Sequence, residues 1–96
     1  MIISFRIHLD DPSDGRERRF ARKAEIPYPA VPRVGEYVVL PTNDPGATLE
    51  AREVSRVIYA ADGLVILEIK IDGLSNDASS QVAVLQQAGY RELSSS

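Results

Sequence analysis

The sequence has no cysteine and no tryptophan, and it has a single histidine and a single methionine. The absence of cysteine excludes disulfide bonds, thiol nucleophiles and cysteine-based zinc sites, and it fits a reducing cytoplasm, which is the location we expect. Because there are only two Phe and four Tyr residues, the core must consist mainly of Val, Ile, Leu and Ala side chains.

Long hydrophobic runs are also missing. The apolar start of the chain, MIISFRIHLD, is too short to span a membrane and lacks the pattern of a signal peptide. We therefore expect a soluble protein with no membrane contact. A chain of 96 residues with 44% hydrophobic and 26% charged residues is typical of one globular domain, which we predict over residues 1–93 with a flexible tail at 94–96.

The charge of the chain is negative overall but unevenly placed. Residues 1–33 contain seven Lys and Arg against five Asp and Glu, whereas residues 34–96 contain four against nine. The balances are +2 and −5, which give the net charge of −3. An acidic chain argues against general nucleic-acid binding, and its basic first third leaves room for a local basic site.

Two segments alternate between apolar and polar residues, as half-buried strands do. They cover residues 3–9 and 64–72, and we predict that their apolar faces line one shared interior. Residues 10–15 are rich in turn formers and predict a loop, and residues 16–26 predict another strand. The residues expected on the inner faces of these three strands are Ile3, Phe5, Ile7, Leu9, Phe20, Ala24, Ile26, Val65, Leu67, Ile69 and Ile71.

Proline punctuates the middle of the chain. Three prolines lie within residues 27–33, where they remove backbone donors and favour extended geometry, so this segment predicts a stiff connector outside the sheet. Gly35 then predicts a tight turn that a residue with a Cβ atom would resist. A short buried strand with the sequence EYVVL follows at 36–40 and ends at Pro41.

Residues 48–72 predict a hairpin. Val54 and Val57 break strict alternation, and a bulge between them brings both valines inward. Asp62-Gly63 predicts a two-residue turn into the strand that follows.

The last predicted element is a helix over residues 77–88. Asn76 or Asp77 is the expected N-terminal cap, and Gly89 is the expected left-handed terminator. Residues 91–96 predict a short tail. The apolar stripe of the helix, and the residue expected to pack back on it, are Ala78, Val82, Leu85, Ala88 and Tyr90.

The string P-R-V-G-E-x-V-x-L, from Pro32 to Leu40, is followed by a V-x-x-V pair and an aliphatic strand that ends at Ile71. This arrangement resembles small bacterial and phage proteins with an SH3-like barrel. The resemblance implies a barrel and brings no catalytic residues with it. Together, the patterns predict a mostly β or α+β fold: a small antiparallel, half-open β-barrel of about five strands with one C-terminal α-helix.

One segment has the composition of a binding site for nucleic acid or another anion. Clustered Arg and Lys side chains neutralise phosphates, and an aromatic ring among them can stack on a base. The alternative is an edge strand whose charges prevent aggregation. The residues are Arg16, Arg18, Arg19, Phe20, Arg22 and Lys23.

Three tyrosines are candidate contacts for a partner protein. Tyr28 stands between two prolines, where it is either an exposed contact residue or a plug over the core. Tyr37 and Tyr59 lie in predicted strands and are expected to be half buried.

These features favour a non-enzymatic protein-interaction module, such as an accessory, inhibitor or assembly protein of bacterial or phage origin. The sequence contains no nucleophile elbow and no phosphate-binding glycine loop, and His8 is expected to face solvent, so we predict no enzymatic activity, no cofactor and no metal site. The alternative function is nucleic-acid binding by the basic strand 16–23. Self-association through unpaired strand edges is a further expectation for partners.

Overall fold

The computed structural model describes residues 1–11, 15–43, 51–72 and 78–93, which are mostly β-strand with one short helix. The predicted fold class, mostly β with one C-terminal helix, is confirmed at this level. The elements are β1 (Ile2–Asp11), β2 (Arg16–Glu25), β3 (Tyr37–Val39), β4 (Ala51–Glu53), β5 (Arg56–Tyr59), β6 (Val65–Asp72), α1 (Ala78–Gln87) and β7 (Arg91–Glu92).

The strands form a five-stranded sheet in the order β5-β6-β1-β2-β7 and a two-stranded sheet of β3 and β4. β1 pairs with β6 in the parallel direction, with Ile3 beside Val65 and Leu9 beside Ile71. The prediction of an entirely antiparallel arrangement is therefore wrong at this central pair. After β2 the chain leaves the large sheet to form β3 and β4. It returns as β5 and β6 on the side of β1 away from β2, so β6 pairs with β1 without a hairpin between them. No closed barrel is found among the described strands.

The core lies on one face of the large sheet, as the alternation predicts. The inward residues of β1 have no exposed surface, and those of β6 are at most 9% exposed. Phe20 of β2 is also fully buried, while Ala24 and Ile26 pack against the core as partly buried residues. Each large side chain buried in this way stabilises the fold by roughly 1.5–3 kcal/mol.

The connector and the turn after it are confirmed, whereas the strand that follows is only half buried. Residues 26–36 contain neither strand nor helix, and Gly35 has a φ angle of +90°. The amide of Gly35 donates a hydrogen bond of 2.9 Å to the carbonyl oxygen of Val54, which ties the turn to the end of β4. Val38 of β3 and Leu40 just after it are buried, but the residues between and before them are exposed.

β4 and β5 divide the segment that we predicted as one bulged strand. The break falls at residues 54–55, where the chain passes from the small sheet to the large one. Val54 is fully buried and Val57 is partly buried, as the predicted bulge requires. The hairpin prediction holds for β5 and β6, but their connection, residues 60–64, is longer than the predicted two-residue turn. Residues 48–50 lie outside the described ranges.

The helix presents Val82, Leu85 and Ala88 to the core, as predicted. The predicted cap residues at 76 and 77, and the side chain of Ala78, lie outside the described part of the chain. No helix within the described ranges has the length and apolar character that crossing a bilayer requires.

The end of the helix has the predicted glycine terminator. Gly89 has a φ angle of +94°, and the amide of Tyr90 donates to the carbonyl oxygen of Leu85 at 2.9 Å. Both side chains of that pair are buried, which is the hydrophobic contact typical of a Schellman ending. The predicted tail is wrong at Arg91 and Glu92, which pair with β2 as β7. The tail predicted at 94–96 lies outside the described residues.

Candidate functional site

A groove of about 570 Å³ lies beside β3. Its lining comes from the connector, residues 28–33, and from residues 36–39. The prolines of the connector have no amide hydrogens and therefore cannot pair fully with a strand. The connector consequently passes β3 without joining its sheet, and the space between the two segments stays open.

Exposed apolar side chains are concentrated around β3, where Tyr37 and Val39 line the groove and Val34 lies in the turn before the strand. Val34, Tyr37 and Val39, which we call the β3 patch, are 63%, 68% and 56% exposed. Exposed apolar clusters of this kind mark interaction surfaces in soluble proteins. The other large hydrophobic side chains that are exposed among the described residues are scattered over the chain: Met1, Ile2, Tyr59 and Val84.

The structure separates the three tyrosines predicted as protein contacts. Tyr28 and Tyr37 line the groove, whereas Tyr59 lies on β5, an edge strand of the large sheet. Tyr28 packs partly buried against the core, and this burial raises its pKa, so it both covers the core and borders the groove. The expectation that Tyr37 and Tyr59 are half buried is wrong, because they are 68% and 70% exposed.

Two charged residues stand at the groove. The backbone amide of Arg33 donates a hydrogen bond to the Glu36 carboxylate, which closes the turn before β3. The guanidinium of Arg33 makes no ion pair with any residue of the described ranges, and Arg33 is exposed. The groove therefore combines an apolar patch with one available positive charge.

The basic segment 16–23 does not form a single surface. The register with β1 places Arg16, Arg18 and Arg22 on the same face of β2 as Phe20, and it places Arg19 and Lys23 on the opposite face. Strand alternation thus divides the predicted nucleic-acid site between two sides of the sheet.

The two residues at the centre of that segment have structural roles. The ring of Phe20 has no exposed surface, so the prediction that it stacks on a base is wrong. Arg18 lies with its guanidinium 5.8 Å from the centre of that ring, and it donates two hydrogen bonds, of 2.8 and 2.6 Å, to the carboxylate of Glu92. These hydrogen bonds lower the pKa of Glu92 and attach β7 to β2.

Arg22 connects the sheet to the end of the helix. Its guanidinium donates a hydrogen bond to the carbonyl oxygen of Ala88, where the helix leaves carbonyl groups without partners. The adjoining Tyr90 donates its hydroxyl hydrogen to the carbonyl oxygen of Pro41 at 3.1 Å, and burial raises the pKa of Tyr90. Arg22 is therefore a stabilising residue of the fold as well as a cation.

The face of the large sheet opposite the core, which we call the outer face, carries a histidine between two carboxylates. His8 Nδ1 forms a hydrogen bond of 2.8 Å with Glu17, and its Nε2 atom lies 2.7 Å from a carboxylate oxygen of Glu68. The hydrogen bond lowers the pKa of Glu17. His8 lies on the polar face of β1, as expected, and its side chain is 17% exposed. Within the part of the chain that the structure describes, no set of three or more His, Cys, Asp or Glu side chains is arranged to hold a metal ion.

A second groove, of about 830 Å³, opens on the outer face. Five of its lining residues, which we call the basic cradle, are Ser4, Arg6, Ala21, Lys23 and Arg91. The other described lining residues of this groove are Arg22, Asn43, Leu64, Gly89 and Leu93. Of the residues predicted to bind an anion, Lys23 belongs to the cradle and Arg22 lines the same groove. Arg6 is a polar residue of β1 and belongs to no motif. Arg91 belongs to the site only because residues 91–92, which the sequence predicted as a tail, pair with β2 as β7.

The chain matches no protein-family model and no curated protein, and its fold matches no solved structure.

Proposed function

We propose that this protein is a non-enzymatic interaction module that binds an extended segment of a partner protein in the groove beside β3. The observation that carries the proposal is the β3 patch, in which Tyr37 and Val39 are exposed along a groove of about 570 Å³ and Val34 is exposed in the turn before β3. Tyrosine in particular contributes strongly to protein interfaces, because it buries a large area and loses little conformational entropy.

The mode of binding that we propose is addition of a strand to β3. In the described part of the chain β3 has one neighbour, β4, so its other edge has unpaired backbone groups. An extended peptide supplies main-chain hydrogen bonds to such an edge, and its alternate side chains reach the pockets beside it. The prolines of the connector keep the edge free, since they cannot occupy it themselves.

The proposed peptide combines an apolar and an acidic residue. The apolar side chain packs on Tyr37 and Val39, and the carboxylate pairs with the guanidinium of Arg33. Arginine and carboxylate groups form bidentate, charge-assisted hydrogen bonds, which give direction to a peptide that the apolar contact alone would not orient.

Three further features are part of this proposal: the barrel, the cellular role and self-association. Val38 of β3, with Leu40 and Val54 just after the two strands of the small sheet, belongs to the same core as the large sheet, which supports a half-open barrel made of the two sheets. The resemblance of residues 32–71 to SH3-like proteins of bacteria and phages favours an accessory, inhibitor or assembly role in the cytoplasm. Self-association through the free edge of β5 belongs with these proposals, and we expect neither enzymatic activity nor a cofactor.

Nucleic-acid binding by strand 16–23 has weaker support. The fully buried ring of Phe20 offers no stacking surface, and Arg18 already pairs with Glu92. Retention of the protein on single-stranded DNA at low salt, with loss of retention after Arg19→Glu and Lys23→Glu, would favour this alternative over the peptide groove.

A random peptide library displayed on phage tests the proposed function. The wild-type protein is expected to select extended peptides with neighbouring apolar and acidic residues. Tyr37→Ala should weaken the selected peptides at least about tenfold, or about 1.4 kcal/mol, because it removes the largest exposed contact.

Tyr59→Ala is the matched control, since Tyr59 is equally exposed on an edge strand but does not line the groove. It should change the affinity less than about twofold. Failure to enrich any peptide, or equal losses for the two variants, would contradict the proposal.

A further inference from the structure

The basic cradle on the outer face has the chemistry of an anion site. Arg6, Ala21 and Arg91 lie in one row across three neighbouring strands, because Ala21 pairs with both arginines. The two arginines therefore start about 10 Å apart, at two strand spacings. The small side chains of Ala21, between the arginines, and Ser4, beside them, form the floor of the cradle. Lys23 is paired with Ser4 in the neighbouring row.

The described lining of this groove contains no carboxylate. Within the described ranges, Arg6, Lys23 and Arg91 make no ion pair, whereas Arg18 pairs with Glu92 and His8 with Glu17. Like charges held together in a groove create a positive potential that attracts an anion.

Arg6 provides the most specific observation. Its Nε atom is buried and has no hydrogen-bond partner among the described residues. Glu68 stands directly beside it in the parallel register, but the carboxylate of Glu68 lies 2.7 Å from His8 and 3.7 Å from Arg56 instead. Arg6 as a whole is half-buried, and a ligand in the groove would supply the acceptor that this Nε–H donor lacks.

We propose that the basic cradle binds a phosphate group of a small phosphorylated molecule or of inorganic phosphate. The planar guanidinium groups of Arg6 and Arg91 match the geometry of phosphate oxygens, and Lys23 adds a point charge. A compact anion fits better than a nucleic-acid strand, because Glu17 and Glu68 lie on the same face beyond Arg6 and repel an extended polyanion.

Titration of the ¹⁵N-labelled protein with inorganic phosphate at constant ionic strength tests this proposal. The Nε–H signal of Arg6 is expected to shift and to saturate, with a dissociation constant of about 1 mM or tighter. Arg6→Gln and Arg91→Gln should each weaken phosphate binding at least about tenfold, and Arg6→Lys should retain part of it because it keeps the charge. Arg91 is exposed, so its variant tests the site without disturbing the core.

Lys70→Gln is the control for general electrostatics, because Lys70 is exposed on the same face but does not line the cradle. It should leave the affinity unchanged within about twofold, and pyrophosphate or a phosphomonoester should compete with phosphate at the same signals. The proposal is overturned if the shifts do not saturate, if all variants bind alike, or if a single-stranded oligonucleotide binds these residues more tightly than every small phosphate compound.

Discussion

At the scale of single residues, alternation along a strand decides what each side chain does. β1 and β6 carry aliphatic residues at every second position, so their inner faces could be predicted from the sequence. β2 carries charges on both faces, and the sequence does not distinguish a cation that packs at the core from one in solvent. Arg22 and Lys23 are adjacent in sequence and both line the second groove, yet Arg22 also donates a hydrogen bond to the end of the helix.

The pairing of Arg18 with Glu92 predicts a pH effect. Because the hydrogen bonds from Arg18 lower the pKa of Glu92 below its ordinary 4.5, the pair stabilises the fold above that pH and loses this contribution as the pH falls through the lowered pKa. Arg18→Gln should raise the pKa of Glu92 to the ordinary range. The free energy of unfolding of the wild type falls between neutral and acidic pH, and in the variant this fall should be smaller by about 0.5 kcal/mol. The difference is small because both side chains are partly exposed.

A ¹³C NMR titration of the glutamate carboxyl groups and urea unfolding at two pH values measure these effects. Glu17 is the internal control, since its pKa is lowered by His8 and should not respond to Arg18→Gln. An unchanged pKa of Glu92 in the variant would show that the salt bridge does not form in solution.

At the scale of elements, local signals predicted those boundaries that depend on local geometry. The glycine at the end of α1 and the glycine before β3 mark their turns through positive φ angles, and both were visible in the sequence. The division of residues 51–59 into β4 and β5 was less visible. It depends on which sheet each half joins, and the choice of partner is a long-range property that the residues themselves do not encode locally.

The helix ending gives a stability prediction. Gly89→Ala should destabilise the protein by about 1–2 kcal/mol, because an alanine resists the φ angle of +94°. Its Cβ atom would in addition come within 2.5 Å of the Asn43 side chain, which must shift.

Gly63→Ala is the matched variant, since Gly63 has a similar φ of +89° but open space around its Cβ position. Thermal unfolding of both proteins separates the backbone strain, which they share, from the contact with Asn43. A Gly89→Ala protein as stable as the wild type would mean that the helix does not end at this residue.

At the scale of the whole molecule, the parallel pairing of β1 and β6 is the feature that sequence reasoning missed. Both strands have the same alternation, which fixes the buried face but carries no information on direction. The candidate sites follow from this topology, because it places Glu68 beside both Arg6 and His8 and brings the C-terminal residues back to β2. No sequence motif joins residues so far apart along the chain.

The absence of cysteine allows a direct test of this topology. His8→Cys with Lys70→Cys should form a disulfide on mild oxidation, because the two positions are neighbours in the parallel register. His8→Cys with Ile66→Cys should not, because Ile66 lies beside Ser4, about 13 Å further along the strand. If the strands ran antiparallel about the Arg6–Glu68 pair, the second pair would form and the first would not. A mass spectrum of each product, followed by electrophoresis under non-reducing conditions, shows whether the disulfide has formed.

The central claim is that a partner peptide becomes a new strand on β3, and amide hydrogen exchange tests it most directly. A peptide selected from the library should slow the exchange of amides within residues 37–39 at least about tenfold, because they gain backbone hydrogen bonds in the complex. The amides of β5, an edge strand of the large sheet, should exchange at their original rate. Unchanged exchange at β3 in a saturated complex, or slowing confined to β5, would contradict the account.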